Sequence, residues 1–232
     1  MHSCLEYLGA IQWVGEEEKV NEVEEENEKI NKEEKKKINK EEGEKVDEAS
    51  DISGPFIDTL ARIIKVVLKT DAKRGRNEGK CTVLKLLFEN NGLLKNVNSA
   101  ETFNKYILST CQSCLNSLLN LAKEAVKSGY VGSDIAREAD NLLWLLDILA
   151  DRKSAEEFAL MWANQQELAN LLMKYWHHAS SRHLISCITA RLLVGIGNGR
   201  ISAAEETRQV LWLTWFPPLS NDYSCLKKTR LI

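Results

Sequence analysis

Proline is nearly absent from this 232-residue chain, with three in all, at positions 55, 217 and 218. So few breakers leave long stretches free to form uninterrupted helix, and the absence of an Asn-Gly pair between alternating apolar runs removes the main hairpin signal. Long apolar runs are missing as well. The two most apolar windows, 142–150 and 210–219, are broken by Asp147 and by Pro217-Pro218, far short of the roughly 20 residues a membrane helix needs. The first fifteen residues have no basic start, carry Glu6 inside their apolar stretch and run directly into acid, which is not the pattern of a secretory signal. Nor is there an excess of one charge: 31 Lys and Arg stand against 34 Asp and Glu, a formal −3. A nucleic-acid binder's basic surplus is therefore lacking. The reading at this point is an intracellular protein, in cytoplasm or nucleus, with no nucleic-acid or membrane partner. Its six cysteines are expected to be reduced thiols and mostly small buried hydrophobes.

What the chain does have is unevenly placed. Glu16 to Glu48 holds 15 acidic and 8 basic residues, a local −7 that leaves +4 for the remainder. Val20, Val23, Ile30, Ile38 and Val46 give this tract at most a thin apolar stripe. Such a segment cannot bury enough area to offset its ordering entropy, so residues 16–51 are expected to be a charged linker, disordered or a frayed helix held by Glu/Lys pairs. Residues 52–232 have ordinary globular composition and form one expected domain, able to bury roughly 70% of its unfolded surface.

From Ile52 onward the apolar spacing is helical almost throughout. Phe56, Leu60, Ile63, Ile64, Val67 and Leu68 follow Pro55, which suits a first helical turn. Cys81, Leu84, Leu87 and Phe88 predict the buried side of a short helix ended by Asn90-Asn91-Gly92. A longer helix from Ser99 to Ser128 places Phe103, Ile107, Cys111, Cys114, Leu115, Leu118, Leu121 and Ala125 on one face. Asp134 to Ala150 turns Ile135, Ala139, Leu142, Leu143, Leu146 and Leu149 inward. Two capping boxes, Ser154 to Glu157 and Ser202 to Glu205, predict helix starts. Helices over Gln166–Trp176 and Ser181–Ile196 lie between them, and Pro217-Pro218 is expected to stop the last one. The fold class is all-α, a multi-helix array or solenoid-like bundle of seven or eight helices.

Chemistry finds little support. Cys111 and Cys114 have metal or redox spacing, yet no second ligand pair follows, and both fall on an apolar helical face, so core packing is the reading. An enzyme using that pair is the remotest of the functions weighed. His177, His178 and His183 lack an accompanying carboxylate motif, and the glycines at 195, 197 and 199 follow a helix rather than a strand, so they read as a helix terminus rather than a phosphate loop. Asp140, Asp147, Asp151 and Glu157 read as solvated faces and caps, and Trp144, Trp162, Trp176, Trp212 and Trp215 as core or a partner groove. No catalytic, cofactor-binding or metal-ligating residue is assigned.

Two blocks carry a resemblance. Met1 to Trp13, with Cys4-Leu5-Glu6-Tyr7-Leu8, resembles the segment that follows the BTB domain in a family of plant BTB/POZ-domain proteins, with Gln12 where that family has proline. Leu142 to Arg152, continuing through Phe158, Trp162, Gln165 and Leu168-Ala169, then Ile188 to Gly199 and Trp215 to Leu219 with Asn221-Asp222-Tyr223, is similar to the helical region beyond that domain. The resemblance implies a substrate-specific adaptor of a cullin-RING ubiquitin ligase, in which the BTB fold engages the cullin and other regions recruit a protein target. It also implies that residues 1–15 are a post-BTB segment and that the chain is truncated, beginning after the BTB domain and stopping past Lys228 where relatives continue. Cullin contact is then expected only through the missing BTB domain. The alternative is an α-helical scaffold unrelated to ubiquitin.

Overall fold

Helix α1 (Glu48–Lys69) carries Lys69 in its last turn, where a cation complements the helix dipole. The computed structural model describes residues 48–128, 132–175 and 179–228, with side chains over 54–127, 133–173 and 181–221. Residues 1–15 and nearly all of the charged tract therefore lie outside the described residues. Because α1 starts upstream of 52, Pro55 sits inside the helix rather than in its first turn. Ile57, Leu60, Ile64, Val67 and Leu68 are its buried stripe, with Phe56 and Ile63 half-buried beside them.

Helix α2 (Lys73–Glu89) ends at Asn90, whose backbone N–H and side-chain amide both donate to the Leu86 carbonyl, at 3.1 and 3.0 Å. A 3-10 turn over Asn91–Leu94 buries Leu94. Helix α3 (Val97–Ser128) begins beyond Asn96, whose side-chain oxygen accepts the Asn98 N–H at 3.0 Å. The predicted face is the observed one: Phe103, Ile107, Cys111, Cys114, Leu115 and Leu118 are buried. Helix α4 (Gly132–Asp151) packs against α3 on one side and α7 on another, and every residue from Ala139 to Ala150 is buried or half-buried. A helix of that kind belongs in the interior. Leu142, Leu145, Leu146, Ile148 and Leu149 are all buried there.

Helices α5 (Glu156–Ala163), α6 (Gln166–Tyr175), α7 (Ala179–Gly197) and α8 (Glu205–Lys228) complete an all-α array of eight α-helices among the described residues, with no strand among them. Neither capping box forms. Lys153, at φ 55°, closes α4 in a left-handed turn, with the Ser154 N–H donating to Leu149 O at 2.8 Å. The Ser154 hydroxyl lies 2.6 Å from the Asn104 amide nitrogen and donates to Arg152 O, so α5 opens from Ala155 without a side-chain cap. At the other box, Ile201 N–H is tied back to Gly195 O at 2.9 Å, and α8 starts only at Glu205, with Ala204 O accepting the Arg208 N–H.

The glycines at 195–199 do terminate α7: Asn198 and Ile201 N–H groups reach back to Val194 and Gly195 carbonyls, and Gly199 takes φ +75°. Gly195 leaves no free room for a side chain: a Cβ there would stand 2.6 Å from Ile201 Cδ1, so buried Ile201 would have to shift. Gly195→Ala is expected to destabilise the domain by about 1–3 kcal/mol through overpacking. Gly197→Ala, which would meet nothing within 4 Å, should cost less than half as much in the same urea titration.

Pro217-Pro218 does not stop the last helix, which continues to Lys228 with both prolines inside it. Two N–H groups are lost to the ladder, a local penalty of about 3 kcal/mol or more per interior proline. Trp215, Pro218 and Leu219 on the buried side are packed against the preceding helices and hold the direction of the chain across that break.

Candidate functional site

Packing of α8 on α5, α6 and α7 is organised by indoles. Trp162 and Trp215 stack with ring centroids 4.5 Å apart and planes 7° from parallel. Trp162 Nε1 donates to Thr189 Oγ1 at 3.0 Å, and Trp215 Nε1 donates to the Trp162 carbonyl at 2.8 Å. Both buried N–H groups are thereby satisfied, as an apolar interior demands. This clamp fixes which side of α8 faces outward. Trp212 is 41% exposed and Leu213 67% exposed, beside exposed Val210, and Trp212 stacks on Phe216 at 4.5 Å. The five tryptophans read together from the sequence are thus divided: Trp144, Trp162 and Trp215 are core, Trp212 is surface, and Trp176 lies outside the described residues. The signal was in the register, since Leu211, Thr214, Trp215 and Leu219 share the buried face and 212, 213 and 216 fall off it.

Helix α2 corrects a second expectation. Its inward side is Arg76, Lys80 and Val83, whereas Phe88 is 86% exposed and Leu84 and Cys81 are also exposed. Asp140 of α4, read as a solvated carboxylate, receives both cations: Lys80 Nζ at 2.7 Å and Arg76 Nε at 3.6 Å from Oδ2. Arg76 Nη1 also donates to Thr70 O at 2.9 Å, and the Lys80 ammonium lies 5.5 Å from the Trp144 ring centroid. Burial pushes the Lys80 ammonium down, against the opposing pull of Asp140. Two buried cations sharing one carboxylate tie α2 to α4, a contact no local pattern announces.

Of the described thiols, Cys111 and Cys114 sit in the core as expected, whereas Cys81 is exposed and Cys187 only half-buried. Cys111 and Cys114 are buried on α3; burial pushes both upward, Cys114 to about 12 with the Glu138 carboxylate adding to the shift. Thiols held that far above neutral pH carry almost no thiolate and are poor nucleophiles and ligands. Among the described residues no three His, Cys, Asp or Glu side chains group as a metal site, and no helix is long and apolar enough to cross a membrane. His183 is exposed, with its Nε2 3.6 Å from Cys187 Sγ, while His177 and His178 lie outside the described residues.

Asp147, facing Arg191 at 3.2 Å, is pushed up to about 6 by burial, which outweighs the guanidinium. A carboxyl raised above its unfolded value favours the folded state when protonated, and that contribution is lost as pH rises from about 4 through about 6. Asp147→Asn should therefore gain on the wild-type denaturation midpoint between pH 4 and pH 7. A difference that is flat or shrinks with rising pH would contradict the assignment.

What this arrangement offers is a rigid helical array with an outward aromatic and aliphatic stripe, the equipment of a binding region. The chain belongs to the BTB/POZ Ankyrin-like repeat family, which it matches over residues 56–231. It is similar to three BTB/POZ domain-containing proteins of Arabidopsis thaliana. The first is 44% identical, covering 98% of this chain and 42% of the relative. The second is 30% identical, covering 97% and 45%, and the third 26% identical, covering 98% and 41%. The chain thus spans less than half the length of the curated relatives it matches. No solved structure matches it.

Proposed function

We propose that this chain is the target-recruiting region of a substrate-specific adaptor of a cullin-RING ubiquitin ligase, working in the cytoplasm or nucleus by binding alone. The observation that supports it is family membership combined with the α8 stripe: Trp212 and Leu213 stay outward, with half-buried Phe216 stacked under Trp212, while Trp162 and Trp215 anchor the same helix. Rigid aromatic side chains on a fixed scaffold are the usual anchors of protein recognition, because little conformational entropy is lost when they are covered. The stripe takes an apolar segment of the target, and cullin contact belongs to a BTB domain in the same polypeptide or assembly.

The test is a chimaera carrying the BTB domain of an Arabidopsis relative ahead of this chain, purified with its bound proteins. Trp212→Asp with Leu213→Asp is expected to release the co-purifying target proteins and leave the cullin bound. An unchanged set of bound proteins would remove α8 from the reading; loss of cullin as well would refute the separation of the two contacts.

A further inference from the structure

Away from α8, a half-open cleft of about 360 Å³ lies between α1, α3 and α4. That volume is at the small end of ligand sites, roughly 300–1,000 Å³. On one wall α1 presents Lys65 and Lys69, one turn apart and exposed, and neither is ion-paired among the described residues. Opposite them α3 presents Ser109, Ser113 and Ser117 on successive turns. The rim can therefore donate from every one of these groups, two ammoniums and three hydroxyls. The floor is the reverse. Asn141, 1% exposed, donates its side-chain N–H to Leu68 O at 3.2 Å, while its Oδ1 has no hydrogen-bond partner. A buried amide oxygen without a donor is uncommon in a folded protein and asks for one. Beside it Glu138 is hydrogen-bonded to the Cys114 thiol.

Rim and floor together select a ligand with an oxyanion at one end and an N–H or O–H donor at the other. Two cations match the charge of about −1.5 to −2 on a phosphomonoester, and three hydroxyls with two ammoniums supply more donors than a carboxylate's two oxygens accept. Glu138 keeps the anion at the rim and leaves the floor to the donor. We propose that the α1/α3/α4 cleft binds a phosphomonoester carrying a neighbouring N–H donor, the chemistry of phosphoserine, whether free or within a peptide. The site is independent of the adaptor reading, since it shares no residue with the α8 stripe and needs no cullin.

The probes are a short phosphoserine peptide, the same peptide unphosphorylated, free O-phosphoserine and inorganic phosphate, each titrated calorimetrically into the 232-residue chain. The phosphopeptide, free phosphoserine or both should bind, at least tenfold tighter than the unphosphorylated peptide and than inorganic phosphate. Comparable binding of both forms of phosphoserine points to a small-molecule source, and binding of the peptide alone points to a modified protein. Lys65→Gln with Lys69→Gln alters only exposed side chains, so the helical circular dichroism should be unchanged while affinity falls at least tenfold. No binding of either phosphoserine probe up to millimolar concentration, equal binding of the unphosphorylated peptide or of inorganic phosphate, or an unaffected double variant would each overturn the proposal.

Discussion

Trp162→Ala is expected to lower the free energy of unfolding by about 3–5 kcal/mol, the range for deleting a buried aromatic side chain. Its ring is fully buried, stacked on Trp215 at 4.5 Å and stacked again with Phe158 at 6.2 Å, so truncation leaves a cavity where α5, α7 and α8 meet. Thr189 Oγ1 loses the indole donor as well. A domain holds only about 5–15 kcal/mol in all, so the urea midpoint should drop steeply and soluble yield with it. Trp212→Ala, at an exposed position of α8, should move the midpoint by less than about 1 kcal/mol. Similar losses at the two positions would mean that the clamp and the outward stripe have been assigned to the wrong tryptophans.

Asp140→Ala should be nearly as damaging, at about 3–5 kcal/mol, for a different reason. It strands Arg76 and Lys80, whose side chains are 7% and 9% exposed, with no carboxylate between them. Removing one partner of a buried charged cluster is costly because the remaining charge stays desolvated, whereas replacing the cluster by apolar groups of similar volume is often neutral or better. Lys80→Met with Arg76→Leu in the Asp140→Leu background should therefore recover more than half of the loss. Thermal denaturation of the two variants at pH 7 reads both effects. An Asp140→Ala midpoint equal to wild type would place the cluster in solvent.

How much of this was legible in the sequence depended on whether each feature is local. The α3 face from Phe103 to Leu118 and the α4 face around Leu142, Leu146 and Leu149 repeat at three and four without interruption, and the structure buries them as read. The end of α7 was equally plain, because closely spaced glycines end a helix: Gly195 lies close against Ile201 and Gly199 takes the positive φ. Helix α2 misled for the opposite reason. Its leucines and Phe88 are periodic, but the buried register is set by Arg76 and Lys80 meeting Asp140, which lies 60 positions from Lys80. The hydroxyl of Ser154 was likewise claimed by Asn104, 50 positions away, so a sound local motif formed no cap. Pro217-Pro218 follow a strong local rule that tertiary packing of Trp215 and Leu219 overrode. The cleft residues carry no motif at all: lysines on α1, serines on α3 and Asn141 on α4 become a site only when three helices are assembled.

Whether this helical region recruits a target while another module meets the cullin is read by a binding titration of purified cullin against the isolated 232-residue chain and against the same chain joined to a BTB domain. No measurable association is expected for the isolated chain at micromolar concentration, and stoichiometric association for the joined protein. Saturable cullin binding by the isolated chain would contradict that division of roles.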